Sequence, residues 1–153
     1  MVTSDQDLLA LWRNVYRLNV EIRSALSKRL DEAGGCTLLE HDLMSWLEVD
    51  HDRRPRMQEL AAMLDMTPGG TTRLVDRLVK RGWVQRLQLH GNRREVYPEL
   101  TSEGRRVLEP ARAAYFHALR ECLGGRLPAG DIATVTALTG ILADKIEANP
   151  GEC

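Results

Sequence analysis

Apolar residues recur at steps of three and four over two long stretches, one near each end of the chain. In residues 5–33 this pattern runs from Leu8 to Leu30, and Gly34 follows it. The spacing places the apolar side chains on one face of a helix, and a glycine just past the end is typical of a helix C-terminus. Residues 131–148 show the same period. We therefore predict a long amphipathic helix at each end.

Three shorter helical patterns follow the first helix. Thr37 and Glu40 form a capping box, which predicts a helix that ends at about Val49. The next two patterns cover residues 58–64 and 67–81 and are joined by a tight turn. A short helix, a tight turn and a second helix in this order indicate a helix-turn-helix.

The period of the pattern then changes from helical to two. Residues 84–90 and 95–100 alternate around a Gly-Asn turn at residues 91–94, which predicts a β-hairpin. A further long helix is predicted over residues 101–123, and Pro110 should kink it. The predicted fold class is mainly α with a small β-hairpin wing, a winged helix-turn-helix with long N- and C-terminal helices.

The composition fits one globular domain. Of 153 residues, 43% are apolar and 28% are charged, which is ordinary for a folded domain. The sequence contains no run of eighteen apolar residues, which a membrane span would need. The N-terminus has no basic segment before an apolar core, which would mark a secretory signal. Three widely spaced cysteines do not make a disulfide framework. We therefore expect a cytoplasmic protein with no membrane partner.

Positive charge is concentrated in the middle of the chain. Residues 53–94 contain ten lysines and arginines against three acidic residues, a balance of +7, so the remainder carries −8 of the net charge of −1. A basic centre between acidic ends indicates a polyanion-binding region flanked by segments with another task.

The helix predicted over residues 67–81 begins with an unusual first turn. Thr67 is a good N-cap and Pro68 suits the first helical position, but Gly69 and Gly70 are poor helix formers. In a helix-turn-helix this end enters the major groove, where glycines allow close backbone approach and the positive helix end faces phosphate. The polar side of the helix carries residues suited to base and phosphate contacts, which are Thr72, Arg73, Arg77 and Lys80.

The ordered motifs of this region resemble the MarR family of bacterial regulators. The chain has TRLVDRL from Thr72, RGWV from Arg81 and LTSEG from Leu100. The family has similar stretches in its recognition helix, before its wing and at the start of the next helix, and its long flanking helices match as well. One departure is Asn92, which stands where the family usually has aspartate and cannot form a charged pair with Arg94.

The resemblance implies a homodimer that binds double-stranded DNA and regulates transcription. Within a single domain of residues 1–153, residues 5–33 and 102–148 would be dimerisation helices and residues 37–100 the DNA-binding lobe. A two-fold dimer would set its recognition helices about one DNA turn, roughly 10–10.5 bp, apart on a pseudo-palindromic operator. The family's minor-groove arginine maps to Arg94. The residues expected at the DNA are Arg54, Arg56, Thr67, Gly69, Gly70, Thr71, Thr72, Arg73, Arg77, Lys80, Arg86, Asn92, Arg93 and Arg94.

Family members often bind a small aromatic effector between the dimer layer and the DNA-binding lobe. The resemblance therefore implies a repressor that a small, aromatic ligand releases, and no cofactor. Candidates for the effector pocket by position are Trp12, Tyr16, His41, Met44 and Tyr115. The same residues fit an ordinary core, because aromatic side chains at helical spacing are usually core residues.

Other triggers stay open as alternatives. A redox-responsive regulator would use Cys36, which precedes a helix N-terminus, although the family's peroxide-sensing branch carries its cysteine near the start of the first helix. A metal-responsive regulator would use Glu40 and His41, but the zinc-sensing branch has paired histidines on the fifth helix and this chain offers only His117 there.

Two other classes of function are weighed against the regulator. A winged-helix protein-interaction module should carry apolar residues on the exposed face of the recognition helix, where this chain has threonine, arginine and lysine. An enzyme is not expected, because the sequence offers no Ser/His/Asp set, no phosphate-binding loop and no complete metal site.

Overall fold

The computed structural model describes residues 3–49, 54–88 and 96–148. Within these ranges the chain is largely helical, with one antiparallel hairpin. The elements are α1 (Asp5–Ala33), α2 (Leu38–Val49), α3 (Met57–Met63), α4 (Pro68–Lys80), β1 (Val84–Gln88), β2 (Val96–Leu100), α5 (Ser102–Leu119), a π-helical turn (Arg120–Gly124) and α6 (Ala129–Ala148). The predicted fold class, a mainly helical chain with a β-hairpin wing, is confirmed.

The largest departure from the predicted elements lies at the end of α5. The predicted helix to residue 123 is α-helical only to Leu119 and continues as the π-helical turn. Apolar periodicity cannot register this change, because one extra residue per turn leaves the pattern of a few residues almost unaltered. Pro110 lies inside α5, whose α-helical assignment is unbroken from Ser102 to Leu119.

Side-chain caps fix the beginnings of the helices in the lobe. The amide of Thr37 donates to Oε2 of Glu40 (2.9 Å), and the amide of Glu40 donates to the Thr37 hydroxyl (3.3 Å). The predicted capping box of α2 is thus confirmed. Thr67 caps α4 by accepting from the amide of Gly70 (3.1 Å). Each cap satisfies amides that have no partner inside the helix.

One hydrophobic core joins the C-terminal half of α1 to the lobe and to α5. From α1 it takes Leu26 and Leu30, whereas the first half of that helix contributes no buried residue. The other large members are Leu38, Leu43, Met44 and Leu47 of α2, Leu60 of α3, Leu74, Val75 and Leu78 of α4, Val84 and Leu100 of the hairpin, and Leu108 of α5. The core therefore fixes α4 between α3 and the hairpin.

Gly104 allows α5 to begin close against the turn that follows α4. A Cβ there would lie 2.2 Å from the backbone oxygen of Trp83 and 2.6 Å from Cδ1 of Leu100. The Thr101 hydroxyl donates to the oxygen of Gly82 (2.7 Å) and accepts from the amide of Gly104 (3.0 Å). The LTSEG motif therefore packs the start of α5 against the lobe.

In the hairpin, Val84 pairs with Leu100 and Gln88 with Val96. The predicted turn at residues 91–94 lies outside the described residues. Pro98 is opposite Arg86 in this two-stranded sheet, where a proline is tolerated because each strand has a free edge. None of the helices in the described ranges is both long and apolar enough to cross a membrane.

Candidate nucleic-acid interface

The two glycines in the first turn of α4 are explained by different features of the structure. A Cβ on Gly70 would lie 3.1 Å from Oγ1 of Thr67 and 3.2 Å from Cε of Met66. Glycine here lets the cap close, which is a local reason and not one that involves DNA. A Cβ on Gly69 would meet nothing within 4 Å. Gly69 is therefore the glycine that leaves the end of the helix bare toward solvent.

The two threonines that follow are not equivalent. Thr71 is fully buried, and its hydroxyl donates to the backbone oxygen of Thr67 (3.1 Å). The prediction that Thr71 contacts DNA is therefore wrong for its side chain, because packing against the core turns it away from the surface. Thr72 is exposed, and its hydroxyl donates to the oxygen of Pro68 (2.9 Å).

Farther along α4, Arg73, Arg77 and Lys80 lie on the exposed face, while Leu74, Val75 and Leu78 are buried on the other. Arg77 and Lys80 also lie in the last turn, where cations interact favourably with the negative end of the helix dipole. The exposed face thus offers one threonine and three cationic side chains. That set matches the donors and methyl group that read bases and hold phosphates.

Two of the predicted DNA contacts already hold acidic partners. Nε of Arg77 donates to Oε1 of Glu40 (2.9 Å), and Nη2 of Arg86 donates to Oδ1 of Asp76 (2.6 Å). The second pair joins strand β1 to α4. Both arginines remain about half exposed, so each can have a positioning role and still reach a phosphate.

Sequence reasoning missed the acidic partner on α2 and the arginine that follows α4. Nη1 of Arg81 lies 3.3 Å from both carboxylate oxygens of Glu40, and its guanidinium carbon lies 4.8 Å from the centre of the Trp83 ring. No local signal reveals this contact, because 41 residues separate its two ends. In the sequence, Glu40 is fully explained by the capping box, so nothing there indicates that it also binds Arg77 and Arg81.

The remaining predicted contacts lie on the loops. Arg54 is half buried in a left-handed conformation (φ 51°), and Arg56 is exposed at the N-cap of α3, where its amide donates to Oε2 of Glu59 (2.7 Å). The wing-tip residues Asn92, Arg93 and Arg94 lie outside the described residues.

A cleft of about 380 Å³ lies between the long helices and the helix-turn-helix. Its lining is Arg23 of α1, Leu39, Asp42 and Trp46 of α2, Met63, Leu64 and Asp65 at the α3–α4 turn, and Tyr115 of α5. Behind it, His41 stacks on Tyr115 with ring centres 4.3 Å apart. Nδ1 of His41 lies 3.2 Å from Oδ1 of Asp42, and its buried Nε2 has no hydrogen-bond partner among the described residues.

The five predicted effector residues do not come together. Tyr115 lines the cleft and His41 stacks on it from behind, but Met44 is fully buried in the core. Trp12 and Tyr16 form a tilted pair on the exposed half of α1, with ring centres 6.2 Å apart. They precede Arg23, the α1 residue at the cleft, by about 16 and 10 Å along the helix. In one chain, Trp12 and Tyr16 are therefore not part of this cleft.

The residues considered for a redox trigger and for a metal trigger lack the chemistry that those triggers require. Cys36 is buried, and burial together with the nearby Glu40 carboxylate raises the pKa of its thiol to about 11. At neutral pH the reactive thiolate is therefore scarce. No group of three or more histidine, cysteine or acidic side chains in the described ranges is placed to hold a metal ion. His117 instead lies 3.4 Å from Oε2 of Glu121.

Known proteins resemble both the sequence and the fold. A sequence model of the MarR family matches residues 36–96. The multiple antibiotic resistance protein MarR of Escherichia coli K12 is 35% identical over 80 residues, which are 52% of this chain and 56% of that protein. A crystal structure of a MarR family transcriptional regulator from Silicibacter pomeroyi has a TM-score of 0.73 at 28% identity and covers 94% of this chain and 99% of that one.

The most informative solved structure is that of Sco3205, a MarR family transcriptional regulator from Streptomyces coelicolor, in complex with DNA. It has a TM-score of 0.79 at 25% identity and covers 95% of this chain and 91% of that one. Over residues 36–96 the chain is similar to the MarR family, and its fold resembles that of MarR family regulators. The family-model match is confined to residues 36–96, and the chain spans just over half the length of the curated MarR protein it matches. The structural matches cover 94–95% of the chain and so extend to its long helices.

Proposed function

We propose that this protein is a homodimeric transcriptional regulator that binds a pseudo-palindromic DNA operator through α4 and the hairpin wing. The observation that carries the proposal is the exposed face of α4. A capped N-terminus with Gly69 bare toward solvent is followed by Thr72, Arg73, Arg77 and Lys80, while the opposite face is buried. The similar Sco3205 was crystallised with DNA, which supports the same use of this surface.

The apolar faces of α1 and α6 support the dimer. No residue of α6 is buried, although that helix carries Val135, Leu138, Ile141, Leu142 and Ile146, all about half exposed or more. The first half of α1 likewise exposes Leu8, Leu11, Trp12, Val15 and Tyr16. Such a concentration of exposed apolar side chains on two helices is typical of an interaction site. A two-fold dimer would bury both faces and set two copies of α4 side by side.

Effector control rests on the cleft beside Tyr115. Its walls come both from the long helices, through Arg23 and Tyr115, and from the turn before α4, through Leu64 and Asp65. A ligand wedged there would favour the dimer whose recognition helices are misspaced and so release the operator by population shift. An aromatic acid suits the cleft, because Trp46 and Tyr115 offer rings and Arg23 offers a cation.

DNA binding is tested by fluorescence anisotropy with the duplex upstream of the protein's own gene and a shuffled duplex of equal composition. We expect tight binding to the first, weaker binding to the second, and a steep loss of affinity with salt. Equal, weak binding to both across a panel of genomic duplexes would contradict the proposal and favour a protein partner. Adding a panel of aromatic acids to the same assay tests release, and an Arg23→Gln variant should lose the response while still binding DNA.

A further inference from the structure

Among the residues of the lobe that the structure describes, Glu40 is the one buried acid. Its side chain is only 2% exposed, and it lies in the first turn of α2 facing the C-terminal end of α4. It accepts from Nε of Arg77 at 2.9 Å and from Nη1 of Arg81 at 3.3 Å, and the Thr37 amide donates to Oε2 at 2.9 Å. A carboxylate withdrawn from water is tolerated only when it is paired and hydrogen-bonded in this way.

The contact with Arg77 constrains the part of that side chain that does not read DNA. Glu40 takes the Nε–H, so the two terminal amino groups of the guanidinium stay available, and 52% of the Arg77 side chain is exposed. Those terminal groups make bidentate contacts with guanine or phosphate. A guanidinium held at Nε presents them in one orientation, whereas a free arginine must give up rotamer entropy when it binds.

The carboxylate also reduces the charge of the recognition surface. Arg77 of α4 and Arg81 at its C-terminal end face one buried negative charge, so the attraction of this surface for any phosphate backbone is lower than its count of basic residues suggests. Attraction to the backbone supplies most non-specific binding, whereas oriented side chains supply specificity. One carboxylate thus lowers the first contribution and raises the second.

We propose that Glu40 is a positioning residue that makes α4 selective: it orients Arg77 for the operator and suppresses binding to other DNA. The proposal rests on the proposed function of DNA binding. Glu40 itself touches no DNA in this account and acts through Arg77 and Arg81. It also connects the recognition helix to the N-terminus of α2.

The test is Glu40→Gln, because glutamine keeps the shape of the side chain and can still complete the capping box with Thr37. The probes are the duplex that wild-type protein selects from a randomised pool and a shuffled duplex. Affinity for the shuffled duplex should rise roughly fivefold, and the slope of log K against log salt should steepen by about 0.9 if one more phosphate contact forms. The preference for the selected duplex should fall at least as far as non-specific affinity rises.

Glu48→Gln is the matched control. Glu48 lies on the same helix and also faces two arginines, Arg105 at 3.6 Å and Arg112, but both belong to α5 and not to the recognition helix. A Glu48→Gln variant should keep the wild-type preference and salt slope. If Glu40→Gln and Glu48→Gln changed the preference and the salt slope equally, the proposal would be overturned, because the loss of one negative charge anywhere on α2 would then explain the effect. A folded Glu40→Gln dimer with wild-type preference and slope would overturn it too.

A measurement without DNA separates this proposal from the proposed function. In the NMR spectrum of the free protein, the Nε–H resonance of Arg77, assigned by its loss in Arg77→Lys, should exchange slowly with water and should broaden or vanish in Glu40→Gln. A resonance that exchanges as fast as that of Arg73, which makes no such contact in the structure, would overturn the role of Glu40. If no duplex is preferred by wild-type protein, the proposed function fails, and the resonance still decides whether Glu40 holds Arg77.

Discussion

Two helices of this chain, α4 and α6, reverse the usual relation between polarity and burial. The helix that we propose reads DNA, α4, is the more polar, yet it buries Thr71, Leu74, Val75 and Leu78. The last helix α6 is the more apolar and buries nothing. A helix buries its apolar stripe where it has a neighbour. The lobe around α4 therefore completes its core within one chain, whereas α6 leaves an apolar surface that the proposed dimer would cover.

The largest expected effect comes from charging the apolar face of α6. Leu138→Asp replaces a leucine that is 63% exposed in one chain and occurs twice in a two-fold dimer. Lost burial of about 1.5–3 kcal/mol per leucine, doubled by symmetry, should raise the dimer dissociation constant at least roughly a hundredfold. Sedimentation equilibrium should find monomers at concentrations where the wild type is dimeric.

Thr136→Asp is the control for that experiment. Thr136 lies two residues earlier on α6, on the opposite side of the helix, and its hydroxyl donates to the backbone oxygen of Ile132 (2.8 Å). It should leave the dimer intact. If Leu138→Asp dimerises as well as wild type and its lobe still folds, the apolar face of α6 is not the dimer interface and the contrast with α4 loses its explanation.

A smaller effect, on the free energy of unfolding, is expected where the start of α5 packs against the lobe. Gly104→Ala places a Cβ 2.2 Å from the backbone oxygen of Trp83, a contact that cannot form without moving the helix. We expect a loss of about 3 kcal/mol in the free energy of unfolding, the upper end for overpacking. Urea denaturation at one fixed protein concentration measures it, because a dimer's stability depends on concentration. Gly69→Ala, which meets no atom within 4 Å, should cost far less, and equal losses in the two variants would refute the close approach.

Some cationic side chains of α4 should contact bases and others should contact only phosphates. Arg73→Ala should cost about 1–3 kcal/mol of binding to the selected duplex and relax the preference if Arg73 reads a guanine. Lys80→Ala should weaken binding to all duplexes alike and make the salt slope shallower by about one phosphate contact. Anisotropy titrations at several salt concentrations measure both. Identical losses on selected and shuffled DNA for both variants would show that α4 makes no base contact.

The smallest expected effect concerns the thiols. With its pKa raised to about 11 by burial and the Glu40 carboxylate, Cys36 stays protonated up to a pH well above 8. Its alkylation at pH 8 should be roughly a hundredfold slower than that of an exposed thiol. Labelling with iodoacetamide followed by peptide mass spectrometry compares it with the partly exposed Cys122. Cys36 labelled first, at neutral pH, would revive the redox-responsive alternative.

The linkage of Cys36 to stability has a definite sign. Because the folded state holds the thiol protonated, it binds more protons than the unfolded state between the unfolded pKa, about 8.5, and the folded value of about 11. Stability should therefore fall as pH rises through that window. Cys36→Ala should remove this dependence, apart from what other groups contribute.

Local patterns were sufficient for the helices and insufficient for the site. The bounds of α1 follow from its apolar period and from Gly34, which has a positive φ of 66° and ends the helix. The start of α4 follows from Thr67 and Pro68. By contrast, the partnership of Glu40 with Arg77 joins residues 37 positions apart. No spacing rule relates them, because the fold alone brings α2 against α4.

Burial decided the remaining differences. Thr71 and Thr72 are neighbours with the same chemistry, yet a rotation of about 100° per residue places one in the core and the other in solvent. Met44, assigned to an effector pocket, is a core residue because α2 is covered on that side. Composition identified a basic region, but its arginines are partly neutralised by Glu40 and Asp76, and only the structure pairs them.

The most direct test of the account is a hydroxyl-radical footprint of the protein on its selected duplex, with stoichiometry measured on the same sample. Two chains per duplex should protect two half-sites on one face of the DNA, their centres about 10–10.5 bp apart, as two symmetric copies of α4 require. Leu138→Asp should abolish the paired footprint and Thr136→Asp should retain it. Protection of a single half-site by one chain, or a footprint with no two-fold symmetry, would contradict the claim that α6 and α1 pair two copies of the lobe on DNA.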